Sequence, residues 1–128
     1  MIAEGLLVYL NPEDVTSLAT DLAAQPAFRW WLIDLGSPAL RQFLSRTWGS
    51  QLGNAPMLFF PQEGTAFFAP AGWDEAEYRP MLEEALRLQR APRMAWVWRL
   101  LGLFASKKRR EEFKRFSGIV LLENSKGR

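Results

Sequence analysis

Neither cysteine nor histidine occurs anywhere in the chain. The first absence excludes disulfides, thiolate nucleophiles and cysteine metal sites, and it suits a reducing compartment. The second removes the usual general base, the Ser-His and Cys-His devices, and the commonest metal ligand. A metal would have to be held by carboxylates alone. No acidic cluster has calcium-loop spacing, so none is expected. No uncharged apolar run reaches membrane-spanning length, and no basic region precedes the first apolar run. A cytoplasmic protein is the default expectation. A glycine-rich phosphate loop is also missing: "LGS" and "WGSQLGNAP" do not follow a strand with dinucleotide spacing.

What is present builds a core. The 128 residues are 48% hydrophobic and 13% aromatic, enough for one folded domain. That domain is expected over residues 1–124, with a frayed tail at 125–128. The net charge of +2 hides an asymmetry: residues 1–90 carry 6 basic and 11 acidic side chains, and residues 91–128 carry 10 and 3. Much of the basic excess lies in "SKKRREEFKR" (106–115). It reads as a solvated helix face on which Glu111 and Glu112 pair with cations one turn away. A basic surface for nucleic acid or anionic lipid is the other reading. Trp30, Trp31, Trp96 and Trp98 sit at apolar helix or strand positions, which favours core packing over base stacking, so no nucleic-acid partner is expected.

Strand and helix patterns alternate. Ile2–Leu10 reads as a strand, its "GLLVYL" nearly continuous apolar as in a sheet covered on both faces. Asn11 then suits a helix N-cap, Pro12 the first helical position, and Glu13 and Asp14 the positive end of the dipole. Val15, Leu18, Ala19 and Leu22 give that helix an apolar face, and Gln25-Pro26 ends it. "FRWWLIDL" (28–35) is a second buried strand. Ser37-Pro38 opens another helix, lined on one side by Leu40, Phe43, Leu44 and Trp48. A short helix over "EGTAFFAPAG" closes at Gly72. "WDEAEYRP" (73–80) reads as a strand with alternate residues inward. "MLEEALRLQR" reads as a helix with Met81, Leu82, Ala85 and Leu86 on one side. "RMAWVWRLLGLF" (93–104) is helical and apolar almost all round, and "SGIVLLE" (117–123) is a last strand. The class is α/β with a mostly parallel sheet.

In such sheets ligands sit beyond the carboxyl ends of strands. Two places qualify: Tyr9 to Asn11 after the first strand, and "IDLGSP", where Asp34 ends a strand and Ser37 opens a helix. Asp34 reads either as a hydrogen-bond acceptor for substrate or as a turn acid satisfied by backbone N–H groups. Glu4 has two readings as well. At the head of an apolar strand a carboxylate is uncommon unless paired or functional. It is otherwise an exposed acid on a frayed strand. Gly5 beside it permits close approach of backbone to a ligand.

These segments, in this order, resemble one family. "AEGLLVYLNPEDV" (3–15) is similar to the fourth strand and following helix of class I S-adenosylmethionine-dependent methyltransferases. The resemblance is strongest to the leucine carboxyl methyltransferase-like O-methyltransferases of bacteria. "LIDLGSP" resembles the fifth strand and its exit. "EGTAFFAPAGWDEAEYRPMLEEALRLQR" resembles the family's helix, Gly-Trp turn, strand and helix, and "FSGIVLLEN" its final strand. The resemblance implies the C-terminal half of a Rossmann-like sheet: about four strands, mostly parallel, with an antiparallel last strand and flanking helices. It implies that Glu4 and Gly5 lie at the cofactor, with Tyr9, Asp34 and Ser37 as substrate-side candidates. No catalytic residue is assigned, because such enzymes act largely by positioning.

The resemblance covers the family's C-terminal half; the N-terminal half, with its glycine-rich loop and ribose-binding acid, has no counterpart in these 128 residues and is expected to be supplied separately. The implied function is methyl transfer to a small-molecule carboxylate or hydroxyl, with S-adenosylmethionine bound only when an N-terminal half is present. An apolar first strand without its usual neighbour is an association hazard. Ile2–Leu10 is therefore expected to pair with a second protein chain, either another copy or a separate N-terminal half. Two alternatives stand beside this. One is a non-enzymatic, dimerising module of methyltransferase ancestry. The other is membrane docking through "MAWVWRLLGLFASKKRR", for which the resemblance substitutes a cover over the active site.

Overall fold

The computed structural model describes residues 1–49, 53, 56–88, 106–108 and 114–127. Four strands form one sheet: β1 (Ile2–Ala3), β2 (Trp30–Gly36), β3 (Trp73–Pro80) and β4 (Ser117–Asn124). Their order is β1-β2-β4-β3. β1 runs parallel to β2, while β4 is antiparallel to both of its neighbours. The last strand in sequence is thus inserted between the second and third, as the one strand of opposite direction. Among the described residues, the helices α1 (Pro12–Ala23), α2 (Pro38–Trp48) and α3 (Met81–Arg87) accompany the sheet. The fold is mixed α/β. The helix expected over 93–104, with Trp96 and Trp98, lies outside the described residues, as do Glu111 and Glu112.

Local chemistry explains where α1 and α2 begin. The Asn11 side chain accepts the Asp14 N–H at 2.8 Å, and Pro12 follows in the first turn. Ser37 repeats the device, its hydroxyl oxygen accepting the Leu40 N–H at 3.3 Å ahead of Pro38. Each cap satisfies a donor that the helix itself leaves unpaired. α1 then buries Val15, Ala19, Leu22 and Ala23.

The expected strand over Ile2–Leu10 is corrected. Only Ile2 and Ala3 pair with β2. Gly5 turns the chain at φ +63°, a conformation that a side chain disfavours. Leu7–Tyr9 continues as a 3-10 turn with Leu7 fully buried. A continuous apolar run reads equally as a two-faced strand or as a turn pressed into a core. Here Gly5 decides for the turn.

One face of the sheet carries the core. Trp31, Ile33 and Leu35 of β2 and Val120 and Leu122 of β4 share it with Trp73, under α1 and the 3-10 segment Gly64–Ala71. Trp31 meets Phe68 and Trp73 edge to face, with ring centroids 5.6 and 5.4 Å apart. Trp30, expected in the core, instead points to the other face and is 40% exposed. Residues alternate across a strand, so adjacent tryptophans cannot both face inward. α2 also departs from expectation. None of its residues is buried, and Phe43 and Trp48 of its apolar side are half exposed.

Turns close the fold at its far end. The expected "EGTAFFAPAG" helix is a 3-10 segment ended by Gly72 at φ +97°. The Gly72 carbonyl accepts both the N–H and the hydroxyl of Ser125, each at 2.9 Å. Ser125–Gly127, within the tail expected to fray, takes the form of a 3-10 turn. β3 is bulged between Glu75 and Glu77, which breaks the expected alternation of inward residues. On this edge strand Arg115 donates to both oxygens of Glu75 at 2.7 and 3.0 Å, and Thr65 donates to the same carboxylate.

The hydrogen bonds from Arg115 hold the Glu75 carboxyl below its ordinary range, against a smaller opposing effect of burial. A carboxylate depressed in the folded state stabilises above its unfolded pKa, and that stability is lost as pH falls through the folded value. Glu75→Gln is expected to flatten the acid side of the melting-temperature profile and to change the neutral side by less than about 1 kcal/mol, since the pair is partly solvated. Thermal melts of the two proteins across the acid range check this.

Candidate functional site

The parallel pair β1–β2 ends on two acids. Its register matches Ala3 with Ile33, so Glu4 and Asp34 each lie one residue beyond the last β1–β2 pair; Asp34, expected to end its strand, instead lies within β2, opposite Ile119 of β4, and the strand runs on to Gly36. The chain reverses at Gly5 and brings its N–H to Asp34 Oδ1 at 3.0 Å. A Cβ at Gly5 would meet no atom within 4 Å. The glycine is required by its left-handed backbone, and the space in front of it is open.

Of the residues that the sequence singled out, three come together here: Glu4, Gly5 and Asp34. Glu4 is exposed and makes no hydrogen bond or ion pair among the described residues. Asp34 is half-buried, with one oxygen engaged by Gly5 and no ion pair among the described residues. Tyr9 lies on the 3-10 turn and is 46% exposed. Ser37 is one residue past β2, and its oxygen accepts the Leu40 N–H, which leaves its own O–H to donate. The Ser37 N–H donates to the Phe116 carbonyl at 3.0 Å, which ties this exit to the entry of β4.

One further wall was not foreseen. The Val8 carbonyl accepts the N–H groups of Leu58 and Phe59 at 2.7 and 3.2 Å. Residues 56–60 are thereby fastened to the turn that follows Gly5, with Phe59 buried against Phe67 and Phe68. Of the "MLFFP" run only Phe59 is buried, and no local pattern names Val8 as its anchor. Glu4, Gly5 and Asp34 thus lie where the β1–β2 pairing ends, with the Gly5 N–H on Asp34 and open space in front of Gly5.

Comparisons with protein-family models, with curated proteins and with solved structures find no match to this chain. Among the described residues no group of three or more acidic side chains is arranged to hold a metal ion. Likewise no described helix is long and apolar enough to cross a membrane.

Asp34→Ala removes the acceptor that fixes the Gly5 turn. The bond is solvent-accessible, so the expected cost is about 1 kcal/mol. Exchange of the Gly5 amide, followed by NMR, is expected to accelerate while the core amides of β2 and β4 stay protected. Unchanged Gly5 exchange would mean that Asp34 does not order the turn.

Proposed function

We propose that this chain supplies the substrate-side half of an S-adenosylmethionine-dependent O-methyltransferase. The acceptor is a small-molecule carboxylate or hydroxyl. The observation that supports the reading is that Glu4, Gly5 and Asp34 meet where the parallel β1–β2 pairing ends, toward the carboxyl ends of the strands, the side on which an open α/β sheet binds its ligand. The sheet gives further support: its antiparallel last strand accords with the family resemblance of the sequence. Two carboxylates without ion-pair partners among the described residues suit a ligand that carries positive charge, as the sulfonium and ammonium groups of S-adenosylmethionine do.

In this reading the residues position rather than react. Gly5 leaves room for the cofactor to approach the backbone. Asp34 holds the Gly5 turn through one oxygen and offers the other to a donor. A carboxylate acceptor has no proton to lose, so methyl transfer to it would need only alignment with the methyl carbon, whereas a hydroxyl acceptor would also need a base to take its proton. A second chain completes the site by pairing along β1, the edge strand on this side.

Calorimetry tests the proposal. The isolated chain is expected to bind S-adenosylmethionine more weakly than millimolar, and the completed assembly to bind it with one site per chain. Submillimolar binding by the isolated chain would overturn the half-site reading. An assembly that takes up no cofactor would overturn the methyltransferase reading.

A second reading is favoured by a different observation. Ile2, on the edge strand, is 73% exposed, and Leu6, Tyr9, Trp30 and Leu58 are also exposed. Backbone bonds link their neighbourhoods along the β1 side: Leu32 N–H donates to Met1 O, and Leu58 N–H to Val8 O. In this alternative the same edge is a dimerisation surface without catalysis. A homodimer that neither binds S-adenosylmethionine nor recruits another chain would establish it.

A further inference from the structure

α2 differs from the rest of the fold in its charges. Arg29, Arg79, Arg87 and Arg115 each pair with a glutamate. α2 contributes Arg41 and Arg46 and no acidic residue, and neither arginine makes an ion pair among the described residues. Its inner side does not close on a core either. Between α2 and residues 56–60 lies a cleft of about 220 Å³. Leu44, Pro56, Met57 and Phe60 line it with apolar surface, while Arg41 and Ser45 supply the polar groups. No carboxylate lines the cleft among the described residues.

The far wall of the cleft is built firmly. Phe60 and Leu40 crowd Gly36 at the end of β2: a Cβ there would stand 3.0 Å from Phe60 Cε1 and 2.8 Å from Leu40 Cδ2. Phe60 is half-buried beside the buried Phe59, whose N–H is bound by Val8.

We propose that this cleft binds a small carboxylate with an apolar body, its anionic end on Arg41 and its body against Leu44, Met57 and Phe60. A guanidinium matches a carboxylate with two parallel N–H···O bonds. One cation and one hydroxyl suit a monoanion better than a phosphate dianion. The apolar lining excludes a fully polar anion, which would lose hydration without recompense. The site rests on the cleft alone and does not depend on the methyl-transfer reading.

Octanoate is the probe, with octanol and inorganic phosphate as comparisons, each titrated into the full chain by calorimetry and followed by NMR. Octanoate is expected to bind saturably at one site, with amide shifts at Arg41, Leu44 and Phe60. Octanol is expected to bind about tenfold more weakly for want of the charged hydrogen bonds, and Arg41→Gln to weaken octanoate by a similar factor. Arg46→Gln, which leaves the cleft lining intact, should keep octanoate affinity within about twofold of the parent. Three results would overturn the proposal: no saturable octanoate binding, equal affinity for octanol or phosphate, or an Arg41→Gln protein that binds octanoate as tightly as the parent. Both variants change exposed side chains, so a circular dichroism spectrum matching the parent secures the comparison.

Discussion

Trp73→Ala is expected to destabilise the protein by about 4 kcal/mol, the upper range for removing a buried aromatic side chain. Trp73 is wholly buried. It joins three parts of the molecule: it starts β3, stacks edge to face on Trp31 of β2, and donates its indole N–H to the Ala19 carbonyl of α1 at 2.8 Å. A paired substitution separates volume from hydrogen bonding. Trp73→Phe loses the bond to α1, whereas the Trp31 indole N–H has no acceptor among the described residues. Trp31→Phe thus removes an unsatisfied buried donor and is expected to cost less than Trp73→Phe, although both indoles are equally buried. Urea titrations of the three variants rank them. Equal costs for the two phenylalanine variants would show that the Trp73–Ala19 bond contributes nothing.

Asn124→Asp is expected to be nearly as damaging, at about 3 kcal/mol at neutral pH. Asn124, at the end of β4, is the buried polar residue among those described. Its amide nitrogen donates to the carbonyls of Ala23 and Phe28, both at 3.1 Å, and its oxygen accepts the Lys126 N–H at 3.0 Å. The side chain thereby closes the C-terminal end of α1 and the following turn onto the sheet. An aspartate would set a charge against two carbonyl oxygens with no donor to offer. Burial beside those oxygens would raise its folded pKa. The stability relative to the unfolded chain would then fall as pH rises through the carboxylate range, the opposite slope to that of Glu75. Melting temperatures at acid and neutral pH check the sign. Asn124→Leu removes both donors without adding a charge, and its cost is expected to be independent of pH.

The legible parts of the fold were those with local chemistry. Asn11-Pro12 and Ser37-Pro38 name their helix starts because a side-chain acceptor and a preset φ act within one turn. Gly72 names a left-handed ending for the same reason. The "GLLVYL" run misled because apolar continuity carries no period, and the turn at Gly5 is fixed by a hydrogen bond to Asp34, 29 residues away. The apolar side of α2 misled differently, since periodicity shows that a face exists but not what covers it. Asn124 went unnoticed, yet its phase was readable: Gly118, Val120, Leu122 and Asn124 follow one another at a spacing of two, all on the buried face. At the candidate site, the sequence named Glu4, Gly5 and Asp34 separately. Only the sheet register brought them together, and only the cap geometry shows that one lone pair of the Ser37 hydroxyl is used by the helix.

The most direct test of a half-site where the β1–β2 pairing ends is native mass spectrometry of the chain at micromolar concentration, with and without S-adenosylmethionine. The proposal predicts a complex with a second polypeptide that takes up one cofactor per chain, and a loss of that uptake in the Asp34→Ala protein. A monodisperse monomer without a partner, or a complex that takes up no cofactor, would contradict it.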